Sequence, residues 1–113
     1  CHGPSEVVDP RSYEWRCTDW RGRPWHEAVV YELHVGTFTP HGTFRSAIER
    51  LDDLVALGVT ALEIMPVADF PGRWNWGYDG VLFYAPDASY GRPEDFKTLI
   101  DAAHERGLLV LLD

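Results

Sequence analysis

Residues 73–80, Arg73-Trp74-Asn75-Trp76-Gly77-Tyr78-Asp79-Gly80, concentrate three large aromatic rings, an amide and a carboxylate among glycines. Those residue types suit a sugar. An aromatic face stacks on the apolar C–H face of a pyranose, amide and carboxylate groups bind the hydroxyls at its edge, and glycine lets the backbone turn tightly. Asn75, Trp76, Tyr78 and Asp79 are therefore candidate substrate-binding residues. A plainer reading stands beside this one, in which Trp76 and Tyr78, two apart, are the buried side of a short strand or turn.

Other chemistries find less support. Glycoside hydrolysis uses two acids flanking the scissile bond, and Asp69 and Asp79 share one long connection. The competing reading is that Asp69 caps a turn while Asp79 orders the loop or binds a hydroxyl. Asp52-Asp53 reads as a solvated helix face, and Glu32 and Glu63 fall within strands, where side chains are usually structural. There is no GxGxxG after a strand, no GxxxxGK[ST] and no GxSxG, so neither phosphate cofactors nor a serine elbow is indicated. The five histidines, at 2, 26, 34, 41 and 104, lack zinc spacing. No metal and no cofactor are expected.

Composition narrows the partners. Eighteen acidic against ten basic residues give a formal charge of −8, which repels nucleic-acid phosphates and anionic membrane surfaces. No apolar run approaches the roughly 20 residues of a membrane span. Cys1 and Cys17 read as free thiols of a reducing compartment, with their pairing left open. A soluble, cytoplasmic protein is expected.

The elements that would position the aromatic stretch follow from periodicity. Residues 1–28 carry three prolines and no sustained period, and read as a connector anchored by Trp15, Trp20 and Trp25. The β-branched and aromatic run from Val29 to Gly36 predicts a strand. Phe44, Ala47, Ile48, Leu51, Leu54 and Val55 fall at helical spacing, predicting one helix of about four turns with Thr43 as N-cap and Gly58 as its end. Val59–Met65 is a second strand, stopped by Pro66. Pro93 to Arg106 is a second helix ended by Gly107, and Leu108–Leu112 is a third strand. The order β, α, β, long loop, α, β, with near-continuous apolar strands, implies a parallel sheet buried on both faces. Ligands of such sheets bind at the C-terminal strand ends, which is where the stretch 73–80 would lie.

The ordered series Tyr31-Glu32-Leu33-His34-Val35-Gly36-Thr37-Phe38, Leu57-Gly58-Val59-Thr60, Glu63-Ile64-Met65-Pro66-Val67, Trp76-Gly77-Tyr78-Asp79 and Tyr90-Gly91 resembles the α-amylase superfamily of glycoside hydrolases. The resemblance covers residues 29–113. It implies an α/β fold: the first three strands and two helices of a (β/α)8 barrel, incomplete in this chain. Residues 1–28 then resemble a linker following an N-terminal β-sandwich domain that is absent here. By the same resemblance Tyr78 stacks on the sugar ring being cleaved, and Asp113 opens the third-strand motif. Asp69-Phe70-Pro71-Gly72-Arg73 followed by Asn75–Val81 leans toward the trehalose-releasing hydrolases acting on maltooligosaccharide-type substrates. Glycogen-branching members are the nearest rival, though they tend to carry Trp-Gly-Tyr-Gln, which Asp79 interrupts. A non-catalytic carbohydrate-binding module is the alternative of another class.

The family's nucleophilic Asp, acid/base Glu and stabilising Asp follow strands four, five and seven, so none is expected within residues 1–113. The chain reads as cut from something longer, needing the remainder of its parent to complete the barrel. With unpaired outer strands it is expected to fold poorly or self-associate alone. A sharp, cooperative melt from a purified monomer contradicts that expectation.

Overall fold

A computed structural model describes residues 3–113. Strand β1 (Val30–Leu33) runs into a one-turn helix α1 (Val35–Phe38), then helices α2 (Phe44–Ile48) and α3 (Leu51–Leu57) lead to β2 (Ala61–Ile64). A small hairpin of β3 (Ala68–Asp69) and β4 (Leu82–Pro86) fills the long connection, and α4 (Pro93–Glu105) and β5 (Leu109–Leu112) follow. The main strands pair in parallel in the order β1-β2-β5, with Tyr31 opposite Leu62 and Leu62 opposite Val110. This is the incomplete parallel sheet expected of the start of a barrel.

Register decides which side chains are buried. Tyr31, Leu33, Leu62, Ile64 and Val110 share one face and pack into the core with the helices, whereas Val30 and Glu32 on the other face of β1 are exposed. The helical side of that core centres on Phe44, which is fully buried, stacks on Phe96 at 4.8 Å and meets Tyr90 edge-on at 5.9 Å. Burying one such ring contributes about 2–3 kcal/mol. Phe44 N also donates to the Tyr90 carbonyl at 2.8 Å, locking α2 to the loop before α4.

Helix ends follow the sequence closely. Thr43 Oγ1 accepts from Ser46 N at 3.2 Å while Ser46 Oγ accepts from Thr43 N at 3.1 Å, a reciprocal cap that satisfies two otherwise orphaned donors. Gly58 adopts φ 94°, a left-handed conformation that a side chain would strain, and ends α3. Pro93 opens α4, and Asp95 in its first turn accepts from Arg92 N at 2.9 Å.

Two expectations need correction. The strand expected over Val29–Gly36 stops at Leu33, because the His34 carbonyl accepts from Thr37 N at 3.1 Å and Phe38 N at 2.9 Å and closes the chain into α1. Burial of Val35 in the core overrides its strand propensity. The single four-turn helix is two helices. Glu49 N and Arg50 N donate three residues back, to Ser46 and Ala47, tightening the turn between α2 and α3. The hairpin was not anticipated either: buried Asp87 accepts from Ser89 N at 2.8 Å and from Phe70 N at 3.3 Å, holding its ends together.

The connector is fastened rather than free. Asp101 of α4 is completely buried and accepts from the Tyr13 hydroxyl at 2.9 Å, Arg16 N at 2.9 Å and Cys17 N at 3.1 Å. Trp20 lies flat on His104 at 4.5 Å, Trp15 meets Tyr13 edge-on at 5.0 Å, and Trp25 is 66% exposed. Trp20 is the tryptophan of the connector that stacks on a helix side chain. At the foot of the sheet, Thr60 Oγ1 accepts from Val29 N and donates to the Glu27 carbonyl, both at 2.8 Å. Cys17 is a free thiol, and Cys1 lies outside the described residues.

Candidate functional site

The aromatic stretch sits beyond the C-terminal ends of β1 and β2, on the side where parallel sheets bind ligands. The backbone there is set by contacts at both of its edges. Met65 N donates to the Leu33 carbonyl, extending the sheet one residue before Pro66 ends it. Gly77, with φ 105°, then presses against that proline: a Cβ at residue 77 would stand 2.6 Å from the Pro66 carbonyl oxygen. Only glycine fits. Asn75 Oδ1 accepts from Gly77 N, tightening the same turn.

The predicted residues separate into two groups. Asn75, Trp76 and Asp79 line a cavity of about 280 Å³ together with His34, Thr37 and Trp74. Trp74 and Trp76 are 78% and 77% exposed, with the Arg73 guanidinium lying over the Trp74 ring at 5.7 Å. That observation favours the ligand reading of Trp76 over the buried-strand reading. A cavity of this size is near the lower bound of small-molecule pockets, and its mixture of open rings with an amide and a carboxylate matches the needs of a sugar ring.

Tyr78 points elsewhere. Its hydroxyl donates to Asp113 Oδ2 at 2.5 Å, across the ends of β2 and β5. Asp113 is itself anchored, since its N–H donates to the Ile64 carbonyl at 3.0 Å. The hydrogen bond to Asp113 is the main cause that raises the Tyr78 phenol above its ordinary value. Desolvation and the charges of Asp113, Glu32 and Glu63 add to it. Tyr78 thus stays a neutral donor whose ring, 63% exposed, keeps a face available.

Asp69 lies in β3, where its carbonyl accepts from Val81 N, while Asp79 is exposed and lines the cavity, so of the two carboxylates only Asp79 belongs to the cavity wall. Among the described residues, no three His, Cys, Asp or Glu side chains gather into a metal-binding group. Asp52, read as solvated, does more: Arg106 Nε donates to it at 2.6 Å, tying α3 to the end of α4.

Sequence reasoning missed His34. Its Nε2 lies 2.5 Å from the Asn75 carbonyl oxygen, and its ring meets Trp76 and Tyr90 edge-on at 6.4 and 6.0 Å. A lone histidine at a strand end has no spacing to mark it. The available signal was its place, one residue past a strand that points into the ligand side.

Comparison with known proteins agrees with this geometry. The family description "Alpha amylase, catalytic domain" matches residues 10–113. A malto-oligosyltrehalose trehalohydrolase of Deinococcus radiodurans is 56% identical over 112 residues, 99% of this chain and 19% of that protein. A 1,4-alpha-glucan branching enzyme of Streptomyces avermitilis is 44% identical over 116 residues, 96% of this chain and 20% of its own. A crystal structure from Salmonella typhimurium, described as a candidate α-amylase, superposes with a TM-score of 0.96 at 64% identity, covering 98% of this chain and 19% of that one. The chain spans about a fifth of the length of the curated relatives it matches. With the family description covering all but the first nine residues, and the strand order and loop placement those of its barrel start, the chain belongs to the α-amylase family of catalytic domains.

Proposed function

We propose that these residues form the start of the catalytic barrel of a retaining glycoside hydrolase that cleaves the α-1,4 bond next to the terminal trehalose of maltooligosyltrehalose, releasing trehalose. The observation that carries this is the 56% identity, over nearly the whole chain, to a malto-oligosyltrehalose trehalohydrolase. The open rings of Trp76 and Tyr78 beyond the strand ends support it. In this reading Tyr78 stacks on the sugar at the cleavage point, and Asn75, Trp76 and Asp79 bind the neighbouring unit. Residues 1–28 act as the linker from a preceding domain, and the protein works in the cytoplasm in trehalose synthesis. The catalytic acids lie beyond residue 113, so the segment alone hydrolyses nothing.

The test is turnover by the full-length protein containing this segment. Release of trehalose from maltooligosyltrehalose is the expected result. A second reading, supported by the 44% identity to a branching enzyme, predicts transfer of glucan chains to new α-1,6 branches instead. Product analysis on the two substrates separates them.

A further inference from the structure

His34 stands between the rigid end of β1 and the aromatic loop. Its backbone is fixed on one side by the sheet and on the other by the two hydrogen bonds that its carbonyl accepts from α1. Its ring is held in a slot. A Cβ at Gly36 would sit 2.9 Å from His34 Cε1 and 3.1 Å from the Tyr90 ring, so the imidazole occupies space that only glycine leaves open. Tyr90, almost perpendicular at 89°, closes the other side.

The direction of the short hydrogen bond is fixed by its partner. A carbonyl oxygen only accepts, so Nε2 of His34 carries the proton and donates to Asn75. Nδ1 is buried and has no hydrogen-bond partner among the described residues. The Tyr90 hydroxyl, at 3.4 Å, is a much weaker neighbour of Nε2. The ring therefore spends its good hydrogen bond on the loop and not within the core. Asn75 in turn turns the chain through its bond from Gly77 N, and Gly77 rests on Pro66. The residues that follow and flank this turn are Trp76 and Tyr78.

We propose that His34 is a positioning residue for sugar binding: by holding the Asn75 carbonyl, it sets where the Trp76 and Tyr78 rings present their faces. This rests on the reading of the loop as the wall of a sugar site. A ring displaced by about 1 Å can cost on the order of a hundredfold in a positioned reaction, and a supporting side chain is what prevents that displacement.

The experiment uses the full-length protein with His34→Leu and His34→Gln, and reads maltooligosaccharide affinity by tryptophan fluorescence, KM, kcat and the thermal midpoint. Leucine fills the slot without a donor, whereas the glutamine amide can still donate to Asn75. The expected result is affinity and KM weakened about tenfold or more by leucine, a smaller change in kcat, and recovery of most of the loss by glutamine. Wild-type affinity in His34→Leu overturns the proposal. So does an equal loss of thermal midpoint in both variants with unchanged KM, which would assign the histidine to the core. A wild-type protein that binds maltooligosaccharides but releases no trehalose would sink the trehalose reading alone, since the affinity comparison does not depend on the reaction catalysed.

Discussion

The connector and the aromatic loop are both irregular, Pro- and Gly-punctuated and tryptophan-bearing, yet they are held in opposite ways. In the connector, the polar groups turn inward onto one buried carboxylate, Asp101, and Trp20 lies flat on His104. In the loop, the backbone is clamped at Asn75 and Gly77 while Trp74, Trp76 and Tyr78 keep their rings in solvent. Exposed apolar rings are unfavourable for folding and gain from being covered. A segment whose polar atoms are satisfied inside favours stability, and one whose backbone is fixed while its rings stay open is suited to meeting a ligand.

The sharpest way to break this contrast is Asp101→Ala. It strands the Tyr13 hydroxyl and two backbone donors and should cost about 3 kcal/mol, read as a drop in thermal midpoint with turnover per folded molecule unchanged. Lost turnover without lost stability would erase the distinction between the two regions. Tyr78→Ala should do the reverse, lowering kcat/KM of the full-length protein about a hundredfold with little change in melting. Tyr78→Phe keeps the stacking face and loses only the bond to Asp113, so it should retain most activity. Were phenylalanine as damaging as alanine, the hydroxyl and not the ring would be the functional group. Trp20→Ala should cost about 1 kcal/mol through the lost stack on His104.

Acid sharpens the same comparison. Burial alone would push the Asp101 carboxyl up, but the N–H groups of Arg16 and Cys17, the Tyr13 hydroxyl and the Arg16 charge together hold it below its ordinary value. Its folded value being depressed, its contribution is complete above the ordinary carboxylate value of about 4 and is lost as pH falls through the lowered one. His104 is likewise held below its ordinary value, by burial, so protonation is resisted in the folded state. Stability should therefore begin to fall below about pH 6.5 and fall again below about pH 4. The melting midpoint followed with pH checks this, and His104→Phe should remove the upper step.

Much of the frame could be read from residue order. Thr43, Gly58, Pro93 and Gly107 mark helix ends because capping and left-handed turns are local chemistry, and the three strands stand out as near-continuous apolar runs, although the face of β1 that bears Val30 and Glu32 is exposed. The cluster Asn75-Trp76-Gly77-Tyr78-Asp79 stood out because open rings beside polar groups are uncommon in a core. What stayed hidden depends on partners distant in sequence. Asp101 lies 88 residues from Tyr13 and looks like any solvated helix residue until the connector lands on it. Asp87 has the same character, and His34 offered only its place one residue past a strand. The break between α2 and α3 was hidden for a related reason, since apolar spacing continues across Glu49-Arg50 while the hydrogen bonds there shorten to three residues back.

The Thr60 hydroxyl has a mechanical consequence. Because it joins the Glu27 carbonyl to Val29 N at the foot of the sheet, the connector is no slack tether. A pull applied at its N-terminal end would load the links of Glu6 and Pro10 to Arg92 and Lys97 first, then the Asp101 grip, then Arg23 on the Gly107 carbonyl and the Thr60 clasp last, and only after these gave way would β1 begin to peel from β2. The sheet edge, and the loop mounted at its far end, are thereby shielded from strain arriving along the chain.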